Sequence, residues 1–416
     1  MKVLIVNTSD IQGGAARAAY RLHRSLLTQG VESRMLVLSK SSDDFTVETI
    51  SSTQREKITV KAGSYIDKVP LMFYKNRTQT HFSPAWVAFG DLEKKIEEIK
   101  PDIVHLHWVC GGMMRPEDMA RIKVPIVWSL HDMWAFTGGC HYDENCQAYE
   151  NVCGRCKVLG SEKEKDLSRS VFLRKQKIFS KFEKLTVVGL SRWLHDCAKK
   201  STLLKEKVHV QLPNLIDTDI FKPFDWDMAR ELLNLPKEKK LVLYGAMGAT
   251  SDPRKGFTLL SEAMTQIEDQ DIAFVVFGSE RPKEEPEIGV PTYYLGKLHD
   301  DISLVALYSA VDVMVVPSMQ ENLSNAIMES LSCATPVVAF AIGGNVDMIE
   351  HQKNGYTAKP FDTADLAKGI MWILDQDETE YHTLCNNARE KVLKEFDSTV
   401  VAQRYVKLYQ EVLDGQ

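Results

Sequence analysis

Two carboxylates, Glu321 and Glu329, bracket the start of a short amphipathic segment within PSMQENLSNAIMESLSCATPVVAFAIGGNVDMIE, residues 317–350. Ser324 is the residue type that caps a helix, and Ile327, Leu331 and Ala334 then fall on one helical face. The first-turn amides of such a helix are donors, and its dipole adds partial positive charge, so an anion such as a nucleotide diphosphate fits there. Glu321 lies in the loop before the cap, and Glu329 sits about 7 Å further along the axis at ~1.5 Å per residue. One acid can face a sugar beyond the phosphates while the other faces the ribose behind them. Lys255 and Arg254, beside Gly256 in GAMGATSDPRKG, add cations at the end of another apolar run, 240–244. The alternative for each is an ordinary solvated charge on a surface helix or turn.

Apolar runs that read as buried strands position these groups. The strand 311–316 leads into the Glu321 loop, the strand 336–340 follows the helix, and Gly343-Gly344 makes a turn. Earlier runs lie at 2–6, 102–105, 125–130, 185–189 and 208–211, and later ones at 273–277 and 293–295. Gly13 and Gly14 follow the first strand, and Ala15, Ala19, Leu22 and Leu26 continue as a helical stripe. This is a strand–helix unit with glycines where backbone must approach a ligand closely. It is not G-x-G-x-x-G, which argues against a nicotinamide dehydrogenase. His131-Asp132 ends the 125–130 strand, where open α/β sheets bind ligands. His105 and His107 read as packing or supporting residues. Strands alternate with helices in both halves, which implies two doubly wound parallel sheets.

The E-x7-E pair Glu321/Glu329, the TPVV strand, the GG turn, PDIVHLHW and LSRW together resemble the retaining glycosyltransferases of the GT4-like family, of the bacterial polysaccharide-biosynthesis type. The resemblance implies the α/β GT-B fold: two Rossmann-like domains facing a cleft, with a C-terminal helix crossing back to the first. Residues 1–213 would form the acceptor-side domain, 214–397 the nucleotide-sugar-binding domain and 398–416 the returning helix. It implies transfer of a sugar from a nucleotide-diphosphate donor to a hydroxyl of a saccharide or lipid-linked saccharide. His131, Glu321 and Lys255 would be catalytic. Gly13, Gly14, Arg254, Gly278, Leu323, Ser324, Asn325 and Glu329 would bind donor. The family usually places Arg about five residues before Lys; here Arg254 adjoins Lys255, so Lys255 carries over more securely. Asp217-Thr218-Asp219 falls at the domain crossing and reads as structural, so the transfer is expected to need no metal. A nucleotide-sugar epimerase or hydrolase of this fold, and a non-catalytic zinc-stabilised sugar-nucleotide binder, are the competing expectations.

Cys140, Cys146, Cys153 and Cys156 lie within 17 residues, with Cys-Gly-Arg-Cys at the end. Four thiolates suit tetrahedral zinc, and a structural site is expected there, with free thiols or disulfides as alternatives. Two segments are basic and carry aromatics: 51–84 and 161–184, each with net charge +4. The first is expected to contact anionic lipid or to act as a solvated flap. The second is expected to turn its aromatics inward and solvate its lysines, or to lean on a membrane. The 416-residue chain carries net charge −6, which does not favour nucleic acid. With no run of 18 apolar residues and no signal-peptide pattern at the start, a cytoplasmic enzyme, peripheral at most to a membrane, is expected.

Overall fold

The computed structural model describes residues 1–51, 63, 65–88, 90–245, 252–267, 269, 271–279, 281, 288–298 and 300–415. The chain divides into two compact units, Met1–Asn214 with Val401–Gln416, and Leu215–Val400. Each is a parallel sheet whose strands are apolar because helices cover both faces.

The first sheet runs in the order β3-β2-β1-β4-β5-β6-β7. Its strands are β1 (Lys2–Ser9), β2 (Glu32–Ser39), β3 (Val47–Thr49), β4 (Ile103–Leu106), β5 (Ile126–Leu130), β6 (Leu185–Gly189) and β7 (Val208–Gln211). Helix α1 (Gly14–Thr28) follows β1, and α2 (Leu167–Phe179) precedes β6. Val3, Leu4, Ile5 and Val6 of β1 are wholly buried. The sequence analysis did not anticipate β3, at the sheet edge, or β2, between it and β1.

The second sheet repeats the order: β10-β9-β8-β11-β12-β13. These are β8 (Lys240–Gly245), β9 (Ile272–Phe277), β10 (Thr292–Tyr294), β11 (Val313–Val316), β12 (Val337–Phe340) and β13 (Gly355–Ala358). Helix α3 (Phe257–Met264) follows β8, and α4 (Asn325–Ser332) links β11 to β12. Strand order reverses between β1 and β4 in one unit and between β8 and β11 in the other, which opens a crevice at the strands' carboxyl ends.

Helix α5 (Ser398–Asp414) enters the first unit at Val401. Two polar side chains in apolar strands explain its place. His105 of β4 and Ser129 of β5 are fully buried. Tyr409 Oη bonds His105 Nδ1 at 2.7 Å, Ser129 Oγ bonds His105 Nε2 at 2.8 Å, and Tyr405 Oη bonds Ser129 Oγ at 3.2 Å. Ser129 satisfies one nitrogen of His105; Tyr409 supplies the partner for the other, buried Nδ1, so the helix completes this sheet's polar pairing.

Candidate active site

In the second unit the turn after β8 and the loop after β11 are spliced together at the switch point. Gly256 has φ +73°, and a Cβ there would lie 1.9 Å from the Pro317 carbonyl oxygen. The Met319 amide donates to the Arg254 carbonyl at 2.7 Å. This close approach brings Lys255 Nζ to 2.8 Å from Glu321 Oε2, and Ser318 Oγ donates to the same oxygen at 3.4 Å. Gly343, φ +51°, closes the other side: its Cβ would sit 1.9 Å from the Glu321 carbonyl oxygen, which also accepts from the Gly344 amide. Only a glycine permits either contact.

Ser324 caps α4, its Oγ accepting from the Ile327 amide. Leu323 is buried before the cap, and Asn325 is the helix's first residue. Glu329 is only 4% exposed, and Tyr308 Oη donates to its Oε2 at 3.0 Å. Both acids are thus sheltered and oriented, one by a lysine and one by a phenol. Arg254 points back to its own turn, bidentate on Asp252 at 2.7 and 3.2 Å. Gly278 ends β9 with φ +81°, its amide donating to the Gly296 carbonyl. Residues 246–251, which include Gly248, lie outside the described residues. Asp217 accepts from the Asp219 and Ile220 amides, and Thr218 Oγ1 donates to Asp397 at 2.6 Å.

The first unit gathers imidazoles at its carboxyl edge. His131 Nε2 lies 2.9 Å from His107 Nδ1, and the His107 ring packs on His105 with centroids 4.3 Å apart. Burial pushes His131 down to about 4 and His105 to about 3, and holds His107 well below its ordinary value. All three are neutral at pH 7. Gly13, φ +98°, caps α1, which starts at Gly14.

Three features escaped the sequence reading. Asp132 accepts from His141 Nδ1 at 2.6 Å and Trp108 Nε1 at 2.9 Å, and His141 Nε2 meets Ser83 Oγ at 2.9 Å. Although burial opposes its charge, these donors hold Asp132 below the usual carboxylate range. His141 sits inside the cysteine-rich run, where the four cysteines carry the sequence signal; the polar pair after β5 is the part of this arrangement that the sequence does mark. The second is Lys175, which corrects the expectation that the 161–184 helix solvates its lysines. Lys175 is fully buried, its Nζ donating to the Trp134 and Thr137 carbonyls and lying 3.6 Å from the Trp134 ring centroid. Burial pushes it down to about 7. The third is the double glycine splice itself.

Cys140, Cys153 and Cys156 are buried free thiols, and Cys146 is partly exposed. Burial pushes Cys153 up to about 12 and Cys156 to about 11, and Cys140 lies in electrostatic range of Cys146, Cys153 and Cys156. Among the described residues no group of three or more His, Cys, Asp or Glu side chains is arranged to hold a metal.

Two Rossmann-like units of matching strand order, the second with its β8 turn joined to its β11 loop at the switch point, are the architecture of the GT-B fold. The chain belongs to Glycosyltransferase Family 4, whose profile matches residues 12–219, and residues 238–376 match Glycosyl transferases group 1. An uncharacterized glycosyltransferase of Methanocaldococcus jannaschii is 25% identical over 77% of this chain and 85% of its own. The N,N'-diacetylbacillosaminyl-diphospho-undecaprenol alpha-1,3-N-acetylgalactosaminyltransferase of Campylobacter jejuni is 28% identical over 43% of this chain and 47% of its own, so the chain spans about half of that relative. Among solved structures, sucrose-phosphate synthase from Thermosynechococcus elongatus superposes over the full length of both chains with TM-score 0.70 at 18% identity. Anabaena HepE in complex with UDP and glucose covers 99% of this chain and 100% of its own with TM-score 0.66 at 16% identity.

Proposed function

We propose that the protein transfers a sugar, with retained configuration, from a nucleotide-diphosphate donor to a hydroxyl of a saccharide or lipid-linked saccharide in polysaccharide assembly. The Lys255–Glu321 ion pair at the second unit's switch point carries this reading. A diphosphate competes with Glu321 for the ammonium. Once Lys255 turns to phosphate, the Glu321 carboxylate is released to accept from sugar hydroxyls. Negative charge on the diphosphate grows as the sugar leaves, so Lys255 and the amide end of α4 stabilise the transition state more than the bound donor. Glu329, steadied by Tyr308, is assigned to the ribose, and neutral His131 to a sugar hydroxyl. Anabaena HepE, solved with UDP and glucose, makes a UDP-sugar the first donor to try.

Nucleotide release with and without acceptor saccharides tests the reaction. Acceptor-dependent release, with Glu321→Ala losing turnover but keeping nucleotide binding by thermal shift, is expected. Equal release without acceptor would show a hydrolase instead.

The cysteine cluster is proposed as a structural zinc site, one whose thiols draw together on the metal. Its support is that Cys140 lies in electrostatic range of the other three free thiols, all within 17 residues. Elemental analysis of protein purified without chelator should find about one zinc per chain; a metal-free, fully folded protein would sink the idea.

A further inference from the structure

The basic, aromatic stretch at 51–84 divides at residue 65: residues 52–62 and 64 lie outside the described residues, and 65–84 are described. Five large apolar side chains fall within nine residues there and face solvent: Tyr65, Ile66, Val69, Met72 and Phe73. Met72 is 77% and Phe73 83% exposed. Single exposed apolar residues need no explanation, but five on one turn do.

The turn is pinned from beneath. Asp67, buried, accepts from the amides of Ala85, Trp86 and Val87. Leu71 points inward to a cluster with Phe82, Val158 and Leu167. Tyr74 Oη accepts from the Leu167 amide at 2.9 Å, and the Thr78 amide donates to the Val158 carbonyl at 2.9 Å. The 3₁₀ turn Val69–Phe73 is therefore held with its tip outward, and ordering it on a partner costs little conformational entropy.

Charge selects the partner. Lys68, Lys75 and Arg77 are exposed around the tip, while the one acid between residues 65 and 80, Asp67, is consumed by backbone amides. A two-fold contact between the tips of two copies would set Lys68, Lys75 and Arg77 against their own counterparts. An anionic lipid surface instead meets them with phosphates while the apolar tips enter the headgroup boundary, and this is the occupant the charge favours. We propose that the 65–77 turn docks the protein on anionic bilayers.

The full-length protein, without donor or acceptor, is tested by flotation with vesicles of phosphatidylcholine alone and of phosphatidylcholine with phosphatidylglycerol. Co-flotation with the anionic vesicles, weakened by salt, is expected. Met72→Ser with Phe73→Ser should weaken it roughly 100-fold, and Lys68→Gln, Lys75→Gln and Arg77→Gln about five-fold each. These side chains face solvent, so circular dichroism should be unchanged. No flotation, flotation indifferent to the anionic lipid, or flotation surviving the double substitution would overturn the proposal. So would a dimer, seen by sedimentation, that the same substitutions dissolve. Because no sugar nucleotide is present, this result is independent of the transfer reaction.

Discussion

The two units share a strand order but arm it differently. At the second unit's switch point sits an ion pair, Lys255–Glu321, whose side chains are 28% and 12% exposed. At the first unit's edge sit imidazoles stripped of charge by burial, His105, His107 and His131, and the same unit buries Lys175. One edge keeps charge in reach of water, which suits exchange with a charged ligand. The other strips charge from its imidazoles and takes up the Asp132 carboxylate with His141 and Trp108, so what it offers is neutral hydrogen bonds, which suits neutral hydroxyls. The fold sets where the sites lie, and local burial sets what chemistry each can do.

The sharpest way to break this contrast is to remove the pair. Lys255→Ala, which removes the cation facing the developing diphosphate charge, should lower kcat by about 10²–10³, and Glu321→Ala, which removes the acceptor for the sugar hydroxyls, should lower it by a similar factor of about 10²–10³, while His131→Asn, which keeps a neutral hydrogen-bonding group, should retain much of the activity; steady-state kinetics on all three checks this. Next, Gly256→Ala puts a methyl against the Pro317 carbonyl at 1.9 Å and forces alanine to φ +73°. A loss of about 2–4 kcal/mol in urea unfolding is expected, with activity falling as Lys255 shifts from Glu321.

Lys175 sharpens the other side. Its pKa falls from an ordinary 10.5 to about 7 in the folded chain, so between those values the unfolded state binds the extra proton. Stability from this group is therefore fully present above pH 10.5 and is lost as pH falls towards 7. Urea midpoints of the wild type should rise from pH 7.5 to 8.5 relative to Lys175→Met, by up to about 1.4 kcal/mol per pH unit; parallel curves would refute a buried titrating lysine. The smallest effect is acid-side. Fully buried His105 titrates at about 3 against 6.5 unfolded. Stability present above pH 6.5 should drain away below it, by about 1 kcal/mol between pH 6.5 and 5.5, and His105→Asn should flatten that part of the profile.

Both sheets were legible because a strand buried on two faces must be nearly all apolar: β8, β9, β11 and β12 announce themselves. The α4 cap was legible because serine before an apolar stripe is a local signal, and Ser324 does accept the Ile327 amide. What was hidden depends on distant partners. Nothing near Glu329 tells that Tyr308, 21 residues earlier, holds it. Lys175 reads as one cation among eight, because its burial comes from Trp134 and Thr137, about forty residues upstream. The roles of Gly256 and Gly343 come from carbonyls at 317 and 321. Even β3 carries only three residues, too few to show a period.

The tyrosines of α5 also impose a timetable on synthesis. The first unit recruits Val401–Gln416 only after the 186 residues of Leu215–Val400 have been made. At roughly 5–20 residues per second, that is a wait of about 10–40 s, during which His105 and Ser129 face an unfilled groove. Newborn chains therefore pass through a stage with the second unit free to fold and the first still open, and that interval is when a chaperone would have most to do.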